Sequence, residues 1–238
     1  MRVNTWKAGV VIAAAILLTG CSGQGPAEKP SDSKPSSSSS SSAEETTAPS
    51  SDCPKLEEGA TVDISALATC STERMAESKG YAATSTTMGM ESTARYNPAD
   101  DATAIDSSIG SMVVIGDQAW VKSPSSEWQV ADPNSSDPII AGLSAGATTA
   151  TSTDPAQAAA ALNGEFTVTG TSERLGQKVY LVSGTTDSQG VAVDATFEVT
   201  EDYIILATTT KTEVQGQPIE AALEITEWDV PQEVTAPM

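Results

Sequence analysis

The sequence predicts an α+β fold, in which helices pack on the concave face of a curved antiparallel sheet that forms a half-barrel. The C-terminal third alternates apolar and polar residues in five segments that short turns separate. Further runs of strand-forming residues lie nearer the N-terminus. Three segments have helical capping signals, one before these strands and two between the groups of strands. Nothing else in the chain can cover one face of the sheet.

The first helix is predicted over residues 61–81, whose apolar side chains recur at helical spacing. Asp63 or Ser65 can cap its first turn, and Gly80 can end it. Two short helices follow, each opened by an Asp-Pro pair that caps and starts it, at residues 138–146 and 155–163.

Strands are predicted where Val, Ile, Thr and aromatic residues alternate with polar residues between turn signals. In the N-terminal half they lie at 81–90, 91–97, 111–122 (a hairpin around Gly116-Asp117) and 127–133. In the C-terminal third they lie at 165–171, 177–185, 191–200, 203–214 and 219–229.

Two tryptophans stand close together in a chain whose aromatic content is only 4%. Trp120 lies in the second strand of the predicted hairpin, and Trp128 follows the turn at 123–126. We therefore expect the two rings on adjacent antiparallel strands, near enough to pack as a cross-strand or diagonal pair. They are either large core side chains, or one of them lies at the mouth of a cavity with its indole N–H directed outward.

The N-terminus has the pattern of a bacterial lipoprotein signal. Arg2 and Lys7 precede the uncharged apolar run 8–18, which is too short to span a bilayer because spanning takes about 20 residues. The sequence "LTGC" then ends at Cys21 and resembles a lipobox. We expect residues 1–20 to be removed and Cys21 to be acylated, which places the protein on the extracytoplasmic face of the bacterial cell membrane. An ordinary secretory signal is the alternative.

Residues 21–52 are predicted to form a flexible tether, because they are rich in Ser, Pro and Thr and nearly devoid of large apolar residues. Residues 53–238 are then the folded domain. They contain 27 acidic and 8 basic residues, a formal charge of −19. Such a surface repels nucleic acid and anionic headgroups, so we expect no nucleic-acid partner.

Two cysteines remain after Cys21, namely Cys53 and Cys70. An even pair in an exported domain favours a disulfide. It would tie the first residues of the domain to the first helix and would contribute about 3 kcal/mol in the chain-entropy model. Two free thiols are the alternative.

The order of these elements resembles the LolA-like half-barrel lipoproteins of the LppX/LprG type. The resemblance covers roughly 61–238 and rests on the lipobox, the order of elements, "AWVK" at 119–122 before Trp128, and "ITEWDVP" at 225–231. It implies an apolar cavity between sheet and helices that holds the acyl chains of a lipid or lipoglycan. The candidate lining residues are Met112, Val114, Trp120, Trp128, Val130, Ile139, Leu143, Phe197, Ile205 and Leu223.

The composition argues against catalysis. The chain has no His, which excludes Ser-His and Cys-His mechanisms and His-ligated zinc. No phosphate-binding glycine motif and no calcium loop is present, so we expect neither an enzyme nor a metal or cofactor. Two hypotheses remain: a lipid-binding or lipid-carrying lipoprotein, and a ligand-free lipoprotein that binds a protein partner, whose identity the sequence leaves open.

Overall fold

The structure is a computed structural model that describes residues 53–149, 163–188, 191–214 and 216–237. The predicted signal peptide, Cys21 and the tether lie outside the described residues, as does nearly all of the helix predicted at 155–163. The described part holds a 12-stranded antiparallel sheet and two helices, so the predicted fold class is confirmed.

The helices are α1 (Ile64–Ala76) and α2 (Pro138–Thr149). The strands of the N-terminal half are β1 (Thr61–Val62), β2 (Tyr81–Thr87), β3 (Met90–Asn97), β4 (Ala102–Ser107), β5 (Gly110–Ile115), β6 (Gln118–Lys122) and β7 (Gln129–Val130). Those of the C-terminal third are β8 (Phe166–Arg174), β9 (Gln177–Ser188), β10 (Val191–Thr200), β11 (Ile205–Val214) and β12 (Gln217–Trp228).

The strand order is β1-β8-β9-β10-β11-β12-β2-β3-β4-β5-β6-β7. Two meanders therefore meet where β12, the last strand, pairs with β2. The two edge strands, β1 and β7, have only two residues each. Such short edges leave few unpaired backbone groups for association with another sheet.

Local signals place the helix starts close to the predicted positions. Asp63 Oδ1 accepts hydrogen bonds from the backbone N–H groups of Ser65 and Ala66 at 2.9 and 3.1 Å, so Asp63 is the cap of α1. Asp137 Oδ1 accepts from Ile139 N at 2.8 Å, which caps α2. The predicted helix at 61–81 is shorter in the structure at both ends. Residues 61 and 62 pair with β8 instead. The helix ends at Ala76 and not at Gly80, whose carbonyl accepts from Val230 N.

Both helices lie on the same face of the sheet, as predicted. Residues that pair across strands point to one side. One such row runs through Ile225, Ala83, Ala94, Ile105 and Met112, from β12 to β5. The two ends of this row contact different helices, and this side is the concave face.

The first core cluster lies under α1. Phe166 and Phe197 form its centre with ring centroids 5.9 Å apart. Both rings are fully buried, and each contributes roughly 2 kcal/mol through apolar burial. The cluster includes Leu67, Ala68, Met75, Ala83, Phe166, Val168, Val182, Ala195, Phe197, Val199, Ile205, Leu206 and Ile225.

The second core cluster lies under α2, on the same face. Met112, Val121, Ile140 and Ala147 are buried there, flanked by Ile105, Val114, Ala119, Ala131 and Leu143. A third group, the convex cluster, occupies the opposite face. It consists of Ala102, Ala104, Val113 and Val234, flanked by Ile115, Trp120 and Trp128.

The C-terminal segment 229–237 covers the convex cluster. Val230 N donates to the Gly80 carbonyl at 3.1 Å, and Arg95 donates to the Glu233 carbonyl at 3.0 Å. Gly80 permits this close approach, because a Cβ there would lie 3.0 Å from the Val230 carbonyl oxygen and 3.2 Å from the Gln232 backbone nitrogen. Through Val234, which is buried in the convex cluster, the segment gives the convex face an apolar contact of its own.

Candidate ligand-binding face

The floor of the concave face between the two helix-covered clusters is built from small side chains. In the row described above, Ala94 is the residue between Ala83 of the first core cluster and Ile105 of the second. In the next row, Ser85 and Ser92 pair, and their hydroxyl oxygens lie 2.7 Å apart. Ala94 and Ser92 are half-buried. We refer to Ser85, Ser92 and Ala94 as the concave floor.

The concave floor lies low because its side chains are small, and the strand pairing beneath it is regular. Strands β2 and β3 are paired over seven residues without a register shift, so every side chain alternates regularly. Ala and Ser at the inward positions fill little volume, whereas Ile and Met occur farther along the Ala94 row and two Tyr residues form the row beside it. These side chains leave more volume above the sheet than larger residues at the same positions would leave.

Two side-chain hydroxyl groups on the concave side of the sheet are buried and have no hydrogen-bond partner among the described residues. These are the hydroxyls of Ser71, on α1, and Thr208, on β11. A buried hydroxyl normally finds a hydrogen-bond partner. Thr208 pairs with Leu223, which in turn pairs with Ser85, so it lies in the row that leads to the concave floor.

The predicted lining residues fall into three groups in the structure. Met112, Val114 and Leu143 come together in the second core cluster. Phe197 and Ile205 lie in the first core cluster, and Leu223 is buried on the same face of β12.

The other predicted residues do not join them. Trp120 and Trp128 pack on the convex cluster. Val130 pairs with Trp120 and is 65% exposed. Ile139 is 42% exposed on α2. One cavity cannot contain all ten residues, because the sheet separates Trp120, Trp128 and Val130 from the rest.

Sequence reasoning missed the residues that shape the floor. Ala94, Ser85 and Ser92 give no signal of their own in the sequence, because small residues on a strand are common. It also chose Ile139 on α2, whereas the buried residue is its neighbour Ile140, at 1% exposure. Ile139 and Ile140 are consecutive on α2, so their side chains point in directions about 100° apart around the helix axis. The sequence does not show which of the two faces the sheet, and only the packing of α2 on the sheet decides it.

The start of the domain is attached at the opposite end of the sheet from the β2–β3 turn. Cys53 and Cys70 form the predicted disulfide, with Cα atoms 6.0 Å apart. The Tyr203 hydroxyl, beside the β10–β11 turn, donates to the Pro54 carbonyl at 3.1 Å. Burial, and then the nearby Tyr180, raise the pKa of the Tyr203 hydroxyl, which keeps this donor protonated.

Neither α1 nor α2 is long and apolar enough to cross a bilayer, as judged on the described residues. Within the same residues, acidic and cysteine side chains nowhere gather in threes as a metal site requires. The candidate site as a whole is an open antiparallel half-barrel with two helices on its concave face and a floor of small side chains between them.

This architecture is shared with a known bacterial protein. The chain is similar to the crystal structure of LprF from Mycobacterium bovis, with 10% sequence identity and a TM-score of 0.51 over 73% of this chain and 96% of LprF. The predicted resemblance to the LppX/LprG-type fold is thereby confirmed.

A DUF1329 family protein from Desulfovibrio piger also aligns at 10% identity, over 71% of this chain and 95% of that protein. Its TM-score of 0.30 is too low to support an argument. No protein-family profile matches the chain, and no curated protein sequence matches it.

Proposed function

We propose that this protein is a lipid-anchored extracytoplasmic lipoprotein that binds the acyl chains of a lipid or lipoglycan between its helices and the concave face. The concave floor is the observation on which the proposal depends. Two apolar clusters flank it, and its small side chains leave volume that larger residues would fill. The fold shared with LprF supports the proposal.

The proposed anchor is Cys21, in agreement with the signal-like N-terminus. The formal charge of the whole chain is −20, so electrostatic attraction to an anionic membrane would not hold it there. Acyl chains contribute about 0.8 kcal/mol per buried CH₂, which is enough for stable attachment when several chains are present.

Cys21→Ser separates the anchor from the cargo. We expect the wild-type protein in the membrane fraction of its host and the Cys21→Ser protein in the soluble extracytoplasmic fraction. Native mass spectrometry of the soluble variant should then show an added mass, which organic extraction removes and which tandem mass spectrometry identifies as a lipid.

The two halves of the proposal fail separately. If Cys21→Ser stays in the membrane fraction after residues 1–20 have been removed, as the intact mass would show, the anchor is assigned to the wrong residue. If the soluble variant has the mass of the bare chain when purified from a host rich in envelope lipids, the cargo proposal is wrong. That second result favours the ligand-free lipoprotein that binds a protein partner.

A further inference from the structure

A second concavity lies on the convex face, on the opposite side of the sheet from both helices. It has a volume of about 350 Å³ and opens where β4, β5 and β6 end beside the 123–128 loop. We call it the convex pocket. It is lined by Asp106, Ser107, Ser108, Gly110, Ser111, Lys122, Ser123, Pro124 and Trp128.

The register of three strands sets the width of the convex pocket. Asp106 on β4 pairs with Ser111 on β5, and Ser111 pairs with Lys122 on β6. All three side chains therefore project from the convex face in one row, with a carboxylate and an ammonium on either side of a small hydroxyl. Strands lie about 4.8 Å apart, so the backbones at Asp106 and Lys122 are separated by roughly 10 Å.

The polar side chains of this row make few contacts with other polar groups in the described part of the chain. Asp106 and Ser111 have no side-chain hydrogen bond there, and Lys122 makes no ion pair with any described residue. By contrast, Lys79 and Lys211, two other cations of this acidic domain, pair with Asp229 and Glu220. The pocket thus presents an acceptor and donors that face solvent.

Trp128 forms an apolar wall beside these polar groups. The loop that positions it is ordered by hydrogen bonds: Ser123 N donates to the Ser126 hydroxyl at 2.9 Å, and Ser126 N donates to the Ser123 carbonyl at 3.2 Å. The indole ring packs on the convex cluster and is half-buried, and its N–H has no acceptor among the described residues.

The base of the convex pocket, at Gly110, is closely packed. A Cβ at Gly110 would lie 2.5 Å from the Lys122 carbonyl oxygen and 2.7 Å from Leu143 Cδ1, so the base is in contact with α2 on the concave side. A substitution at Gly110 would also be strained because its φ is +145°. The backbone at the start of β5 is therefore closely packed between Lys122 on β6 and Leu143 on α2.

We propose that the convex pocket binds a pyranose sugar. A sugar ring presents C–H groups on one face, which suit the electron-rich face of Trp128, and hydroxyls around its edge that both donate and accept. Asp106 would accept from these hydroxyls, while Lys122 and the indole N–H would donate. The opposite charges of Asp106 and Lys122 cancel, which favours a neutral ligand over an anion, and the hydroxyl-rich lining disfavours an acyl chain.

The same chemistry is offered by a free envelope glycan and by the headgroup of a glycolipid. In either case the site is distinct from the proposed acyl-chain site, because the sheet lies between them. The proposal does not depend on lipid binding at the concave face.

Nuclear magnetic resonance titration of the otherwise complete Cys21→Ser chain tests this site. The probes are methyl glycosides of glucose, galactose and mannose at millimolar concentrations, which match the affinity expected for one sugar ring. At least one glycoside should shift the Trp128 indole N–H signal and the amide signals of Ser108 and Ser111 to saturation. Asp106→Asn should weaken that binding roughly tenfold, the effect of losing one charged hydrogen-bond acceptor.

Two matched variants separate the pocket from general effects. Asp117→Asn removes a carboxylate from the exposed β5–β6 turn and should leave binding unchanged. Trp128→Leu should abolish binding, while Trp120→Leu, in the same convex cluster but outside the pocket lining, should retain it in proportion to folded protein. If Trp128→Leu does not fold, Asp106→Asn against Asp117→Asn still decides the question, since Asp106 is exposed.

Several results would overturn the proposal. These are no shift with any glycoside, equal shifts in Asp106→Asn and wild type, or saturation by glycine betaine in place of the sugars, which would make this a zwitterion site. Once a glycoside binds, phosphatidylcholine vesicles with and without a glycosyldiacylglycerol that bears that sugar distinguish the two sources. Binding that is much tighter to the glycolipid vesicles assigns the headgroup, and equal affinity for the free glycoside assigns a free glycan.

Discussion

The side chains of Tyr81 and Trp228 stack with ring centroids 6.1 Å apart, although 146 residues separate them in the chain. They are cross-strand partners where β2 meets β12, so they join the N-terminal meander to the C-terminal one. Tyr96 extends the group, with its ring centroid 5.3 Å from that of Tyr81. The two halves of the sheet are thus joined by an aromatic contact as well as by backbone hydrogen bonds.

Trp228→Ala should lower the free energy of unfolding by about 3 kcal/mol, at the low end for a Trp truncation because the ring is only partly buried. Trp228→Phe should cost less, since it keeps a ring that can stack on Tyr81. Urea unfolding followed by circular dichroism measures both. Ile109→Ala, in an exposed turn, is the control and should change stability by less than about 0.5 kcal/mol. Equal losses in Trp228→Ala and Ile109→Ala would contradict the role of the stack.

Reduction of the Cys53–Cys70 disulfide should lower the free energy of unfolding by about 3 kcal/mol, because the unfolded chain regains the entropy of a loop that closes over a separation of 17 residues. Urea titrations with and without dithiothreitol measure the loss. A double Cys53→Ala, Cys70→Ala variant should be insensitive to the reductant. A wild-type midpoint that does not move on reduction would show that the bridge constrains nothing.

Ala94→Trp should reduce lipid occupancy without unfolding the protein, because it fills the concave floor from a half-buried position. Thr93→Trp is the matched control: it adds the same ring to the adjacent residue, which is exposed on the convex face. Native mass spectrometry of both variants in the Cys21→Ser background measures the fraction that retains the added mass. Equal retention in the two variants would place the cargo elsewhere.

Arg174 donates to both carboxylate oxygens of Glu198, at 2.6 and 3.0 Å, and this hydrogen bonding raises the pKa of the guanidinium. Arg174→Lys loses the paired geometry and should cost up to about 1 kcal/mol, since both side chains are partly exposed. The loss should shrink as salt is added, which denaturant titrations at low and high ionic strength would show. A loss that is independent of salt would point to packing of the side-chain stem.

Asp229 accepts from the Lys79 backbone N–H and from its ammonium, both at 2.9 Å, and these bonds lower the pKa of the carboxyl. Its contribution to stability is therefore present above the unfolded pKa, near 3.8, and is lost as pH falls through the lower folded value. The stability difference between wild type and Asp229→Asn should be small and constant above about pH 5, and should disappear in stronger acid.

Asn is a suitable replacement because residue 229 has a φ of +56°, a conformation that Asn tolerates. Thermal unfolding across this pH range measures the difference. A difference that grows as the pH falls would contradict the assigned direction of the pKa shift.

Strands with one polar face were predictable from sequence, whereas β4, which is buried on both faces, was not. Alternation in 191–200 predicted β10 to the residue. The sequence "ATAIDS" of β4 was not predicted as a strand, because Ala102 and Ala104 are buried on the convex side while Thr103 is buried on the other. With both faces covered, the period of two disappears from the hydrophobicity.

The two tryptophans show the same limit at the site. Their placement in one neighbourhood was predicted from the hairpin and turn, although Trp128 precedes β7 and the residue that pairs with Trp120 is Val130. The face they occupy was not, because β6 is apolar on both sides: Val121 lies under α2 and Trp120 lies on the convex side near Val234. Only the C-terminal segment, which returns over that side of the sheet, makes it a second apolar environment.

The sequence by itself determined the strands of the C-terminal meander and the Asp137 helix cap, because these depend on local periodicity and on single hydrogen bonds. It favoured the pairing of Cys53 with Cys70 and narrowed the cap of the first helix to Asp63 or Ser65, and the structure decided both. The tertiary structure decided that β12 pairs with β2, that small side chains meet between the two helices, and that Asp106, Ser111 and Lys122 form one row. Such contacts join residues on different strands through register, and register depends on which strands become neighbours, which no local pattern specifies.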